Sequence, residues 1–362
     1  MLMGAILIVG PNASNSDKPF SDTHERLGGN PITCVELLGK SILQRTISRL
    51  EHYGLNDISI VADGNLSSLI SSQLPRKVQA DFVREPMDVW TAAQKKFGDL
   101  KEKGTEVVVL IRMGAYVEFN LKQLLEFHRD KQQSITPMHD SHGPVDIWLL
   151  SASNTPRTII PDRVEGSKVP SPMVPFLSQS YVNRLTGARD LRRLVVDAFF
   201  ARCEIRPMGH QVKTGVWVDE GAQIHRRARL VAPAYIGQDV KVQSDAVITR
   251  CTNLERGSEV GYGTVVEDTS VLTGTCLGTG LDLAHAVVCG NNLIHLRRDV
   301  ALQISDPQLL SGRSFVCPPP AYASEPKEPA VLTPIVDING VRGTSHDRQP
   351  SLILSKLNAW AG

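Results

Sequence analysis

The sequence predicts a two-part chain: an α/β amino-terminal half on a mostly parallel sheet, followed by a parallel β-helix. Two observations predict it. Aliphatic runs alternate with helix-period segments over residues 1–212, and from Val218 onward aliphatic residues recur every six positions. At 362 residues the chain exceeds one ordinary core. Hydrophobic residues make up 41% and charged residues 21%, the balance of a folded protein. The 39 Lys and Arg offset 38 Asp and Glu to +1, which gives no compositional case for a nucleic-acid or membrane-surface binder.

The elements follow in order. Ala5–Val9 is a continuous aliphatic run and reads as a buried first strand; the start, MLMGAILIVG, lacks a basic region and is too short for a signal peptide or a membrane span. Ser41–Tyr53 sets Ile42, Leu43, Ile47 and Leu50 at helical spacing and stops at Gly54. Ile58–Val61 and Ala80–Val83 are strands, Thr91–Phe97 a weak helix, Val107–Ile111 a strong buried strand, Leu121–Asp130 a helix and Ile147–Leu150 a strand. Such alternation builds βαβ units, with helices on both faces of the sheet. Ser151–Gln179 reads as a loop and Leu191–Phe200 as a helix.

Then the period changes. Val218, Ile224, Leu230, Ile236, Val242, Ile248, Leu254, Val260, Val266 and Leu272 keep a six-residue spacing, with mostly small residues two positions before each. That spacing fits neither a helix nor a flat strand. It predicts three-sided coils, about three of them, that point the aliphatic inward and stack on main-chain hydrogen bonds. The register is expected to slip at Leu277 and continue to Leu283. We expect domains at 1–212 and 213–300, then a tail at 301–362 with a proline-rich stretch, Cys317–Pro334, and an apolar Leu352–Trp360. The six cysteines form no CxxC and read as reduced thiols of a cytoplasmic protein.

Two stretches carry a resemblance. Gly39-Lys40-Ser41-Ile42-Leu43 leading into Tyr53-Gly54-Leu55-Asn56-Asp57-Ile58-Ser59-Ile60-Val61 resembles the sugar-1-phosphate nucleotidyltransferases, where a G-K-P-I-L segment opens a helix that runs into G-I-x-D-I-x-I-V. Asn120-Leu121-Lys122-Gln123-Leu124-Leu125-Glu126-Phe127-His128 is similar to the D-L-x-x-L-L-x-F-H of the same family. The resemblance implies a Rossmann-like sheet of the GT-A type and a left-handed hexapeptide β-helix. It also implies attack of a sugar phosphate on a nucleoside triphosphate, with a glycine-rich turn, a lysine and an arginine on the phosphates, and Mg²⁺ on carboxylates.

The departures fall on those parts. The glycine-rich turn reduces to Gly10, followed by Pro11, which has no N–H to offer a phosphate; Asn12, Ser14, Asn15, Ser16 and Lys18 could still contact an anion, and the stretch equally reads as a surface loop. The phosphate lysine falls on Ile32. The segment facing base and sugar, Glu85-Pro86-Met87-Asp88-Val89-Trp90-Thr91-Ala92-Ala93, puts Trp90 where a glycine belongs and keeps Thr91; Trp90 either stacks on a base or packs in the core. The metal-binding Asp falls on Gly114 or Ala115, with Glu118 as the nearest substitute. Asp219, in Trp217-Val218-Asp219-Glu220-Gly221, matches the second metal motif and equally suits a coil corner.

The expected function is therefore a catalytically impaired nucleotidyltransferase-like protein that binds a sugar nucleotide or regulates an active relative. Mg²⁺ is needed only if turnover survives, with Asp219 and Glu118 then catalytic. Three alternatives stand beside it. One is an active nucleotidyltransferase with a rearranged site. Another is an acyltransferase using His225, His285 or His295 as general base. The third is an assembly scaffold, a homo-oligomer with Tyr235 and Tyr262 on its contact surface.

Overall fold

The computed structural model describes residues 2–10, 26–27, 29–85, 88–153 and 173–312. Asn12, Ser14, Asn15, Ser16, Lys18, Pro86, Met87 and residues 313–362 of the expected tail lie outside the described residues. Val300–Gln303 and Leu310–Gly312, expected in that tail, are instead strands, paired antiparallel with Asn292–His295 and Thr275–Leu277 respectively. All described residues belong to one compact unit, Met1–Ala323.

The α/β part runs β1 (Met3–Val9), α1 (Ile42–His52), β2 (Asp57–Asp63), α2 (Ser67–Ser71), β3 (Gln79–Val83), α3 (Val89–Glu102) and β4 (Val107–Arg112). It continues through α4 (Leu121–Asp130), β5 (Ile135–Asp140), β6 (Gly143–Ser151), β7 (Phe176–Leu177) and α5 (Ala188–Phe199). Seven strands form one sheet in the order β7-β5-β6-β4-β1-β2-β3. β1 pairs in parallel with β2 and β4, and β6 is antiparallel to β4.

Period-two alternation on β1 serves both faces. Ala5, Leu7 and Val9 pack with Leu43, Ile47 and Leu50 of α1 and with Leu191, Leu194 and Val195 of α5. Ile6 and Ile8 pack with Val89, Trp90, Ala93, Phe97 and Leu100 of α3 on the opposite face. α1 begins at a capping box: the Gln44 backbone N–H donates to Ser41 Oγ at 3.2 Å, and the Ser41 N–H donates to Gln44 Oε1 at 3.0 Å.

The carboxyl part is a stack of short parallel strands on three sheets. One holds Val216–Val218, Ala234–Ile236, Thr252–Leu254, Ser270–Val271 and Ala286–Cys289. The second holds Gln223–Ile224, Lys241–Val242, Glu259–Val260 and Thr275–Leu277, and the third Arg229–Leu230, Val247–Thr249, Val265–Glu267 and Asp282–Ala284. Successive strands visit successive sheets, so the chain coils and pairs only with the turn before and after it. The coil runs one strand past Leu283, because Ala286–Cys289 adds a rung to the first sheet.

Leu230, Ile236, Val242, Ile248, Leu254, Val260 and Val266 fill the prism as expected. Leu272 does not. Val271 takes the inward place, and Leu272 packs with the α/β core instead. The slip therefore comes at this rung, before Leu277. Tyr235 pairs with Asn253, but Asn253 pairs with Ser270, one residue sooner, so this turn is a residue shorter.

A hairpin joins the two parts. Glu36–Leu37 and Lys40–Ser41 pair around Leu38-Gly39, both at positive φ (52° and 88°), the backbone of a two-residue hairpin turn. A Cβ on Gly39 would lie 2.5 Å from Tyr235 Oη and 2.7 Å from Met208 Cβ, so the close approach also requires glycine. The Leu38 and Gly39 N–H groups donate to Glu255 Oε1 (2.7 Å) and Oε2 (3.1 Å), and Asn253 Nδ2 donates to Oε1 (2.7 Å). Tyr235, expected on an oligomer surface, is fully buried under this turn, while Tyr262 is exposed.

Candidate functional site

The strand order locates the mouth of the sheet. From β1 the chain moves outward to β2 and β3, then returns to β4 on the other side of β1. Ligands of open α/β sheets bind outside the carboxyl ends of the strands where the order reverses, here between β1 and β4. Gly10 follows β1 there, and Arg112 ends β4, with the Met113 N–H donating to Ile8 O at 2.8 Å. Asp63 ends β2, and its Oδ1 accepts from Asn65 N–H at 3.0 Å.

Arg112 and Asp146 dominate this edge, and sequence reasoning missed both. Asp146 stands on β6, one residue before Ile147, which pairs with Ile111. Arg112 Nε and Nη2 both donate to Asp146 Oδ2, at 3.1 and 2.8 Å. β6 bulges here: Pro137 pairs with Trp148 and His139 with Pro144, which leaves Val145, Asp146 and Ile147 opposite Met138. Asp146 takes a left-handed φ of 50° at the bulge. The readable signals were an arginine closing a buried strand and a Gly-Pro start to the next, and neither forecasts the pair.

The expected site residues divide between neighbourhoods. Gly10 faces Val89: a Cβ added there would meet Val89 Cγ2 at 3.6 Å. Trp90 lies in the α3 face of the core, 7% exposed and edge-on to Trp148 at 6.4 Å, which is its packing role. Thr91 is exposed on the first turn of α3. Ile32 is buried in a single 3₁₀ turn.

Glu118 is buried. It accepts hydrogen bonds from Tyr116 Oη at 2.8 Å and from the Glu204 N–H at 2.5 Å. Asp219 lies at a coil corner, where Oδ1 accepts from the Glu220 N–H (2.8 Å) and Oδ2 from Tyr235 Oη (3.2 Å). Both carboxylates are engaged in holding structure.

Among the described residues the edge offers Mg²⁺ few uncommitted oxygens. A hard cation asks for several uncommitted oxygens. Asp146 Oδ2 is held by a guanidinium and Asp63 Oδ1 by a backbone N–H. Among the described residues no group of three His, Cys, Asp or Glu side chains is placed to hold a metal.

Among the acyltransferase candidates, His285 is tied inward: its Nδ1 lies 2.5 Å from Asp268 Oδ2, and Asp268 Oδ1 accepts from Arg192 Nη2 (2.7 Å) and Nε (3.2 Å). Arg192, 4% exposed on α5, also donates to Cys251 O (2.7 Å), Asn253 Oδ1 and Ser270 Oγ (both 3.2 Å). This network clamps α5 to the coil.

A cleft of about 570 Å³ opens at the amino ends of β2 and β3, the opposite edge of the sheet. Its lysines are neutralised: Lys77 pairs with Glu51, Lys96 with Asp81 and Lys103 with Asp57. Among the described residues no helix is long and apolar enough to cross a membrane.

No family model matches the chain, and no curated protein matches it. Among solved structures it is similar to HddC from Yersinia pseudotuberculosis, a crystal structure complexed with GMP-PN. The identity is 15%, over 53% of this chain and 97% of that one, with a TM-score of 0.38. A likeness of that size fixes neither residues nor chemistry.

Proposed function

We propose that the chain is a nucleotidyltransferase-like protein that binds a nucleotide or sugar nucleotide at the carboxyl edge of its sheet without turning it over. The observation that carries this reading is the Arg112–Asp146 pair at the switch point. A guanidinium occupies one oxygen of the Asp146 carboxylate where phosphoryl transfer needs metal ligands. In this reading residues 1–212 hold the ligand, and the coil, taken as left-handed over 213–300, serves assembly with copies of itself or with an active relative.

Isothermal titration of the full chain with nucleoside triphosphates and sugar nucleotides should give saturable heat for at least one of them. Pyrophosphate release with Mg²⁺ and sugar 1-phosphates should stay at background. Release that Asp219→Ala abolishes would reverse the noncatalytic reading. An absence of heat with every compound would leave only the role of partner to an active relative.

A further inference from the structure

We propose that Asp146 is a specificity residue that accepts a hydrogen bond from a sugar hydroxyl of the ligand, with Arg112 holding it in position. The inference rests on the binding reading above and adds to it a residue and a recognised group.

Three observations converge on Asp146. The first is the backbone. Strands bulge next to binding sites to re-aim a side chain, and here the bulge sits at the switch point. The aspartate at its centre holds a left-handed φ, a conformation that L residues other than glycine adopt at a cost. Its neighbours Val145 and Ile147 are both buried in the core.

The second is the hydrogen bonding. Two donors of Arg112 meet one oxygen, which fixes the plane of the carboxylate. The other oxygen, Oδ1, accepts no hydrogen bond from any described residue, and the side chain is 30% exposed. An ionised carboxylate is an acceptor only, so this oxygen, open to solvent, is available to a donor on a ligand.

The third is space. Gly114 faces the pair, exposed, and a Cβ built on it would still be 3.9 Å from Asp146 Oδ2.

The charge selects the ligand group. A carboxylate oxygen repels phosphate oxygens, and its pairing with a guanidinium weakens it as a ligand for a divalent cation. A neutral O–H donor suits it, and a nucleotide or sugar nucleotide carries such donors on its ribose and its pendant sugar.

The test is titration of wild-type and Asp146→Asn protein with UDP-glucose, GDP-mannose, ADP-glucose and dTDP-glucose, beside the matched ribo-, 2′-deoxy- and 2′,3′-dideoxynucleoside diphosphates. Asparagine tolerates the left-handed backbone. With its oxygen on Arg112, it turns an NH₂ toward the ligand. Affinity for the bound sugar nucleotide should fall about tenfold to a hundredfold, the worth of a hydrogen bond to a charged acceptor. A loss confined to the sugar nucleotide assigns the pendant sugar. An equal loss on the ribonucleoside diphosphate that disappears on its 2′-deoxy form, or only on its 2′,3′-dideoxy form, assigns the ribose.

Unchanged affinity in Asp146→Asn, or equal losses on the ribo, 2′-deoxy and 2′,3′-dideoxy forms, would overturn the inference and leave the binding reading standing. No binding by the wild-type protein would remove both. Circular dichroism on the variant separates lost contact from lost fold. Arg112→Lys, which keeps the charge but loses the two-donor grip, should show a smaller loss of the same selectivity.

Discussion

Two aspartate–arginine pairs in this protein share almost the same chemistry. In each, Nε and Nη2 of one guanidinium meet a single carboxylate oxygen: Arg192 on Asp268, Arg112 on Asp146. Both aspartates hold a left-handed φ, 43° and 50°. They differ at the second oxygen. His285 completes Asp268, whereas nothing among the described residues completes Asp146. The first pair is finished and lies where α5 meets the coil. The second is unfinished and lies at the mouth of the sheet. An ion pair by itself therefore indicates neither role; an acceptor oxygen left open to solvent separates a contact that a ligand can make from a closed clamp.

Substitution tests that contrast. Arg192→Leu should cost the most. It removes the donors to Asp268 Oδ1, Asn253, Ser270 and Cys251 O, leaving Asp268 with His285 as its remaining partner among the described residues and the three buried acceptors short of a donor, at about 3–5 kcal/mol of unfolding free energy in urea. A loss under about 1 kcal/mol would mean that the clamp is ornamental and the contrast empty.

The next effect comes from Glu255, on the same side of the comparison. Burial lifts its carboxyl from the ordinary 4.5 to about 7, against the Asn253, Leu38 and Gly39 donors and with Glu36 adding to the rise. The folded value lies above the unfolded one, so the folded chain binds more protons between them. Stability should thus be fullest below about pH 4.5 and decline as pH rises through about 7, by on the order of 3 kcal/mol in total. Urea melts from pH 5 to 8 should show this slope in the wild type and a flatter one in Glu255→Gln. Equal slopes would count against the buried-charge account.

The smallest effect belongs to the edge. Asp146→Asn should change stability by about 1 kcal/mol or less, because the asparagine oxygen can still accept from Arg112 Nε and Nη2. A cost equal to that of Arg192→Leu would make both pairs structural and end the distinction.

Much of the fold was legible in the sequence because it rests on periodicity. Leu230 through Val266 announced the prism, Val107–Ile111 the buried strand, and Ser41 with Gln44 the start of α1. Leu272 escaped because a one-residue shortening leaves Val271 and Leu272 equally aliphatic, and only strand pairing tells them apart. The site was less legible for a related reason. Gly10 could be placed from its strand, but Arg112 and Asp146 are separated by a helix and a strand. They meet only because β6 runs back along β4 and bulges at the right place. Trp90 offered stacking or packing equally by composition, and the face of α3 it occupies decides for packing.

The shortened turn between Val266 and Val271 also fixes orientation. A coil of strictly equal turns would present the same side to its neighbour at every level. Dropping one residue shifts the phase of every later rung, and it turns Leu272 out to be gripped by the α/β core. Leu272 thereby joins Tyr235, on an earlier rung, in the flank that the α/β core holds.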